Sequence, residues 1–214
     1  MTIRLGVVMD PIEKIKPWKD STFAMLLEAQ RRGWSIAYMT PADLYVRDGR
    51  CYAHTTALTV TDDTAHWYDK GEARNLDLAD LDIVLMRQDP PFNNEYLYVT
   101  YLLEKVEREG VMVVNRPASV RDSNEKVFAT EFPQCCTPTL VSGRADLLRD
   151  FVREFGDTVM KPLDGMGGSN IFRVRSESPN ISVVIDILTQ HGKTPIMAQR
   201  YIPEITEGDK RILM

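Results

Sequence analysis

Thr158-Val-Met-Lys161-Pro-Leu-Asp-Gly165-Met-Gly167-Gly168-Ser169-Asn-Ile-Phe-Arg-Val174 is the stretch on which the fold reading turns. Glycine has no Cβ to block close approach, so backbone N–H groups in such a run can converge on an anion. The residues after the glycines decide their setting. A P-loop needs Gly-Lys-Ser/Thr leading into a helix, and a dinucleotide fold needs its glycines between a strand and a helix. Here Asn170 to Val174 alternates like a strand, so the glycines cap a hairpin. A hairpin lid can close over the phosphates of a nucleotide and exclude water. Spacing alone favours a glycine-rich turn without chemistry. Lys161 shifts that balance, because it interrupts an apolar strand where a cation is desolvated unless it has an anionic partner. Its alternative is a surface-facing lysine on an edge strand.

Outward from this stretch the chain has two characters. Its first half alternates short apolar strands with amphipathic helices. Strands are predicted at Ile3–Met9, Ser35–Met39, Leu81–Arg87 (centred on Ile83–Met86) and Val111–Asn115, with helices after Asp20-Ser21 and through Tyr96 to Val106. Asp48-Gly49 breaks a β-rich run as a hairpin turn. This is the pattern of a parallel α/β sheet. Composition shifts over Arg116 to Asn124, so domains are expected at 1–122 and 123–214. The second is read as α+β, with helices at Glu125–Phe132, Ala145–Phe155 and Ile181–Gln190. Its strands are expected at Thr137–Val141, on both sides of the glycines, at Ile196–Ile202 and at Arg211–Met214. The sequence ends within that last apolar strand, which is read as a chain continuing further.

Bulk properties narrow the function. The 214 residues carry a net charge of −5 and a pI near 5.3, with no basic excess to neutralise phosphates over a wide surface. No nucleic-acid partner and no anionic-membrane partner is therefore expected. The longest apolar runs are too short to span a bilayer, the first ten residues do not read as a signal peptide, and a cytoplasmic location is expected. Cys51 stands alone and Cys135-Cys136 are adjacent, so no disulfide framework is legible. Three isolated histidines offer no zinc spacing, and no metal ligand is assigned.

Other residues invite chemistry more weakly. Asp122-Ser-Asn-Glu125 reads as a helix cap, which places Lys126 in a first helical turn, opposed to the macrodipole unless it faces an anion. Asp10-Pro11 and Met86-Arg87-Gln88-Asp89-Pro90-Pro91 each close a strand, and parallel sheets bind ligands outside such ends. Arg87 suits a carboxylate, although a structural pair with Asp89 is an equal reading. Met197-Ala-Gln199-Arg200-Tyr201-Ile202 is a strand end whose backbone can meet an adenine edge. Gly208-Asp209-Lys210-Arg211 reads as a solvated turn.

Together these residues resemble a known family. Val113-Val-Asn115-Arg-Pro117 through Lys126 is similar to the entry segment of ATP-grasp ligases, and Lys161 to Gly168 to the phosphate-covering loop of bacterial glutathione synthetases. Gly6 to Pro11, Phe23 to Gly33, Leu85-Met-Arg87 with Asp89-Pro90-Pro91, and Gly208-Asp-Lys-Arg211 fit the same family, in order along the chain. The resemblance implies a parallel-sheet pre-ATP-grasp domain followed by an incomplete α+β ATP-grasp domain. It implies a ligase that joins glycine to γ-glutamylcysteine with ATP and Mg²⁺, through an acyl phosphate. Another ATP-grasp carboxylate–amine ligase and a non-catalytic nucleotide-binding module are the alternatives. By motif match Lys126 and Lys161 contact phosphates, and Gly165, Met166, Gly167, Gly168 and Ser169 cover them. Gln199, Arg200, Tyr201 and Ile202 hold adenine and Asp209 the ribose. Arg211, with Lys161, is the catalytic candidate, and Arg87, Asp89 and Asp10 are the dipeptide candidates. The Mg²⁺ ligands are expected beyond Met214, so these 214 residues alone are expected to lack ligase activity. A homo-oligomer is also implied.

Overall fold

The computed structural model describes residues 2–164 and 168–210. The chain divides into two compact units, Met1–Asp122 and Ser123–Met214.

The first unit runs β1 (Arg4–Met9), α1 (Ser21–Arg31), β2 (Ser35–Met39), β3 (Leu44–Arg47), β4 (Arg50–Val60), β5 (Tyr68–Asp77), β6 (Ile83–Arg87), α2 (Asn94–Arg108), β7 (Met112–Val114) and α3 (Pro117–Asp122). Strands β2, β1, β6 and β7 lie side by side and parallel, and β4 joins β2 antiparallel. Alternation along β1 explains the layering. Leu5, Val7 and Met9 pack with Phe23, Leu26 and Ala29 of α1. Val8 points the other way, into a cluster with Val99, Leu103 and Val106 of α2. The two helices therefore cover opposite faces, as near-continuous apolar parallel strands require.

Helix α1 begins where the sequence predicts. The Asp20 carboxylate accepts the Phe23 N–H at 2.8 Å, and Gly33 (φ +73°) follows its end. Asp20→Ala removes this cap and is expected to lower stability by about 1 kcal/mol, read as a shifted urea midpoint with an unchanged slope. The turn between β3 and β4 is the predicted one, with positive φ at both Asp48 and Gly49. Two elements escape the sequence reading. Strand β5 exposes most of its side chains, so no period-two hydrophobic pattern marks it, and its pairing along β4 defines it. Helix α3 is a six-residue segment opening on Pro117. Arg121 fixes it to α2 through a 2.7 Å ion pair with Glu104.

The second unit contains β8 (Thr139–Ser142), α4 (Ala145–Phe155), β9 (Asp157–Pro162), β10 (Phe172–Arg175), α5 (Ile181–Leu188) and β11 (Ile196–Arg200). Its sheet is antiparallel throughout, in the order β10-β9-β11-β8. Leu148, Phe151 and Val152 of α4 and Ile185 and Leu188 of α5 pack against Met160, Val174, Ile196 and Ala198, so both helices lie on one face.

The helix expected over Glu125–Phe132 does not form. Lys126 lies in a turn, followed by 3-10 turns at Phe128–Glu131 and Pro133–Cys135. Asn124 Oδ1 accepts the N–H groups of both Lys126 and Val127 at 3.0 Å, a local pattern that competes with helix. Val127, Phe128 and Phe132 are exposed, so no apolar face is buried to stabilise eight helical residues. The strand expected at Arg211–Met214 lies outside the described residues.

Candidate active site

Each unit gathers its own group of candidate residues. In the first, β1 and β6 are adjacent and parallel, with Met9 opposite Arg87. The chain leaves β1 toward β2 through α1 and leaves β6 toward β7 through α2, on the opposite side and face. The carboxyl ends of β1 and β6 thus form a topological switch point, where open α/β sheets bind ligands. Asp10, Arg87 and Asp89 all lie there. Asp10 Oδ2 accepts the Asp89 N–H at 2.7 Å. Arg87 donates through Nε to the Thr22 hydroxyl at 3.0 Å and through Nη2 to the Ser21 hydroxyl at 3.1 Å. The reading of Arg87 as an ion pair with Asp89 fails: Arg87 makes no ion pair among the described residues. Burial, followed by the charges of Asp10 and Asp20, holds the Asp89 carboxyl above its ordinary range, while Arg87 opposes this. Tyr96 belongs to the same group. Burial raises its hydroxyl, and it feels the charges of Arg87, Asp89 and Asp10.

Ser21, Thr22 and Tyr96 are absent from the sequence-derived set. They come from helix starts distant in sequence, and a hydroxyl in a capping turn gives no signal of the arginine it will receive.

In the second unit, register sorts the candidates by face. Lys161 pairs with Met197, Val159 with Gln199, and Met197 and Gln199 with Val141 and Thr139. Directly opposed residues share a face, and Met160, Ile196 and Ala198 occupy the helix-covered one. Lys161 and Gln199 therefore project from the other face, away from α4 and α5. Lys161 is half-buried there. Burial lowers its pKa below the ordinary 10.5, and the charge of Lys126 lowers it further. Asn124 donates to the Leu163 carbonyl at 3.3 Å, tying the Lys126 turn to the end of β9. Lys126 is itself mostly buried, with Nζ 2.6 Å from a Glu125 carboxylate oxygen. The Lys126 and Lys161 ammonium groups thus lie within electrostatic reach of one another, with the Glu125 carboxylate beside them.

Strands β9 and β10 are consecutive and antiparallel, with Met160 opposite Phe172. Gly168 and Asn170 have positive φ, and Ser169 is exposed; Gly165, Met166 and Gly167 lie outside the described residues. At the far end of β11, Gln199 donates to the Thr139 hydroxyl at 2.9 Å. The Arg200 and Tyr201 N–H groups go to the carbonyls of Pro138 and Asp157 at 3.0 and 2.9 Å. The Arg173 guanidinium covers the Tyr201 ring at 3.5 Å. Ile202 is exposed. Asp209 is exposed beyond a 3-10 turn at Pro203–Glu207, and Arg211 lies outside the described residues. Among the described residues, no group of three or more His, Cys, Asp and Glu side chains could hold a metal ion, and no helix is long and apolar enough to cross a membrane.

Solved structures share this fold. D-cycloserine synthetase DcsG superposes with a TM-score of 0.60 at 18% identity, over 94% of this chain and 60% of that one. D-alanyl-alanine synthetase A from Vibrio cholerae gives 0.57 at 12% identity, over 94% and 61%. A RimK domain ATP-grasp protein from Sphaerobacter thermophilus gives 0.56 at 17%, over 94% and 64%. At these identities the likeness shows the fold alone. Two family models match the sequence in succession: the prokaryotic glutathione synthetase N-terminal domain over residues 3–121 and its ATP-grasp domain over 125–214. The chain is 56% identical over all 214 residues to a glutathione synthetase of Pseudomonas aeruginosa, of which it spans 68%. It is 50% identical to that of Vibrio vulnificus strain YJ016, of which it spans 67%. The chain belongs to the prokaryotic glutathione synthetase family.

Proposed function

We propose that the two groups serve the two halves of an ATP-dependent condensation of glycine with γ-glutamylcysteine. The observation that carries the reading is the half-buried Lys161, with Lys126 near enough to depress its pKa further. Phosphoryl transfer to a carboxylate brings several negative charges together, and lysines with backbone N–H donors are the groups that stabilise them. Lys126 and Lys161 hold the ATP phosphates, and the run from Gly165 to Ser169 covers them. The span along β11 from the Lys161 level to Tyr201 is roughly 13 Å at about 3.3 Å per residue, a reach suited to a nucleotide from phosphates to base. Because the Arg200 and Tyr201 N–H groups are engaged within the sheet, adenine is left to meet the chain near Ile202, with Asp209 on the ribose.

The dipeptide's cysteinyl carboxylate attacks the γ-phosphorus, releasing ADP and forming an acyl phosphate. The glycine amine then attacks the acyl carbon, phosphate leaves, and the amine loses a proton as the amide forms. Arg211 faces the acyl-phosphate oxygens in this reading. Mg²⁺ enters with ATP, and no ligand of this chain is assigned to it. Arg87, Asp10 and Asp89 receive the dipeptide. A cytoplasmic location and a homo-oligomer complete the proposal, the latter open to sedimentation.

The decisive assay is ADP release with ATP, Mg²⁺ and γ-glutamylcysteine, with and without glycine, alongside other amino-acid acceptors. Release that requires both the dipeptide and glycine supports the reading. Equal release with another acceptor would point to a different carboxylate–amine ligase. Since the chain spans about two thirds of its relatives, ATP binding without ADP release would assign it a nucleotide-binding role short of the whole reaction.

A further inference from the structure

The cysteines of the chain differ in setting. Cys51 is buried in the core of the first unit, where burial pushes its thiol up to about 11, so it stays protonated and inert. Cys135 is exposed, and Cys136 is half-buried. The Cys136 Sγ donates to the Ala129 carbonyl at 3.1 Å. It also lies within electrostatic reach of Lys161, on which the charges of Lys126, Glu125 and Cys136 all bear. An ammonium beside a partly exposed thiol favours the thiolate, the form that attacks disulfides. Cys135 is poorly placed to close a ring with its neighbour. Adjacent Cα atoms across a trans peptide are about 3.8 Å apart, short of the roughly 4.4–6.8 Å over which disulfides usually form. A disulfide partner for Cys136 therefore comes from outside the chain.

We infer that Cys136 is a modification site, which forms a reversible mixed disulfide with glutathione disulfide and thereby closes Lys126 and Lys161 to nucleotide. The closure rests on the placement of ATP phosphates at the two lysines proposed above. The Cys136 thiolate attacks one sulfur of the incoming disulfide. That molecule's S–S bond breaks as the new bond to Cys136 forms, and its other half leaves as a thiolate that takes a proton from water. Cys136 is oxidised and the departing half reduced, so no further oxidant is needed. Each glutathionyl half carries two carboxylates and one ammonium, and its net negative charge complements the lysine pair. Tethered at Cys136, those carboxylates occupy the ammonium groups that the phosphates require. The oxidised form of the proposed product thus restrains its own synthesis.

The test exposes the chain near neutral pH to three disulfides of different charge: glutathione disulfide (anionic), bis(2-hydroxyethyl) disulfide (neutral) and cystamine (cationic). Addition at each cysteine is followed by intact mass and peptide mapping. Cys136 should take up glutathione roughly tenfold faster than Cys135 does. The rate at Cys136 should fall from the anionic to the neutral to the cationic reagent, an order that flattens in about 1 M salt. Lys161→Met, which keeps Cys136, should slow the glutathione addition by a similar factor. Wild type modified at Cys136 should bind a non-hydrolysable ATP analogue roughly tenfold or more weakly, and recover on reduction with dithiothreitol. Cys136→Ser should bind the analogue equally before and after the same treatment. Addition at Cys136 no faster than at Cys135, or equal rates with all three reagents, would overturn the modification site. Undiminished binding of the analogue by the modified chain would overturn the closure. Untreated wild type that takes no nucleotide would instead refute the phosphate placement, and the closure with it, while the rates at Cys136 still decide the modification.

Discussion

Lys161→Met should weaken nucleotide binding by roughly 30- to 1,000-fold, about 2–4 kcal/mol, while the free protein melts no lower than the wild type. The opposed signs come from one geometry. In the folded chain without nucleotide, Lys161 is half-buried and its neighbour Lys126 carries the same charge, and both effects disfavour the ammonium. Methionine keeps the length and apolar stem and removes the charge, so the unliganded fold loses a repulsion. With nucleotide present the ammonium finds phosphate oxygens and forms charge-assisted bonds that methionine cannot make. A lysine whose role was structural would show the reverse, with lower stability and unchanged affinity.

Alkaline titration sharpens this prediction. The folded-state pKa of Lys161 lies below the ordinary 10.5. Between that lowered value and 10.5 the unfolded chain holds the proton more than the folded one, so this group makes stability rise with pH across the window. Below the window both states are protonated and the cost of the buried charge is present in full. The melting advantage of Lys161→Met over wild type should therefore be largest near neutral pH and shrink as pH climbs toward 10.5. An advantage that grew with pH would refute the assignment of the repulsion to Lys161.

The parts of this architecture that sequence discloses are those carried by side-chain periodicity. Helix α4 occupies Ala145–Phe155 as its apolar spacing predicts, and β1, β2, β6 and β11 lie within their apolar runs. Lys161 is legible because a cation in an apolar strand breaks the pattern. Where pairing or local hydrogen bonding decides, the pattern is silent or misleading. Strand β5 exists through β4, and Asn124 diverts the chain from the helix that Asp122-Ser-Asn-Glu125 suggests. The setting of Arg87 is illegible for another reason. Its hydroxyl partners are 65 and 66 positions away, and only the crossing of α1 over the ends of β1 and β6 unites them.

Leu148→Ala carries the largest expected loss of stability, about 3–5 kcal/mol, and its neighbour provides the control. Leu148 is fully buried in the cluster with Phe151, Val152 and Met160, whereas Leu147 is 42% exposed. Consecutive residues on a helix face different directions, so Leu147→Ala, with the same change in composition, should stay within about 0.5 kcal/mol of wild type. The second unit's core is small, one sheet face under two helices, and has little room to collapse around a missing isobutyl group. The consequence extends to the other face. Met160, adjacent to Lys161, is held by this core, and a loosened β9 fixes the Lys161 ammonium less well. Leu148→Ala should thus lower nucleotide affinity several-fold as well, with amides of β9 and β11 exchanging faster than in wild type. Equal stability losses in the two alanine variants would mean that α4 does not pack on the sheet through Leu148.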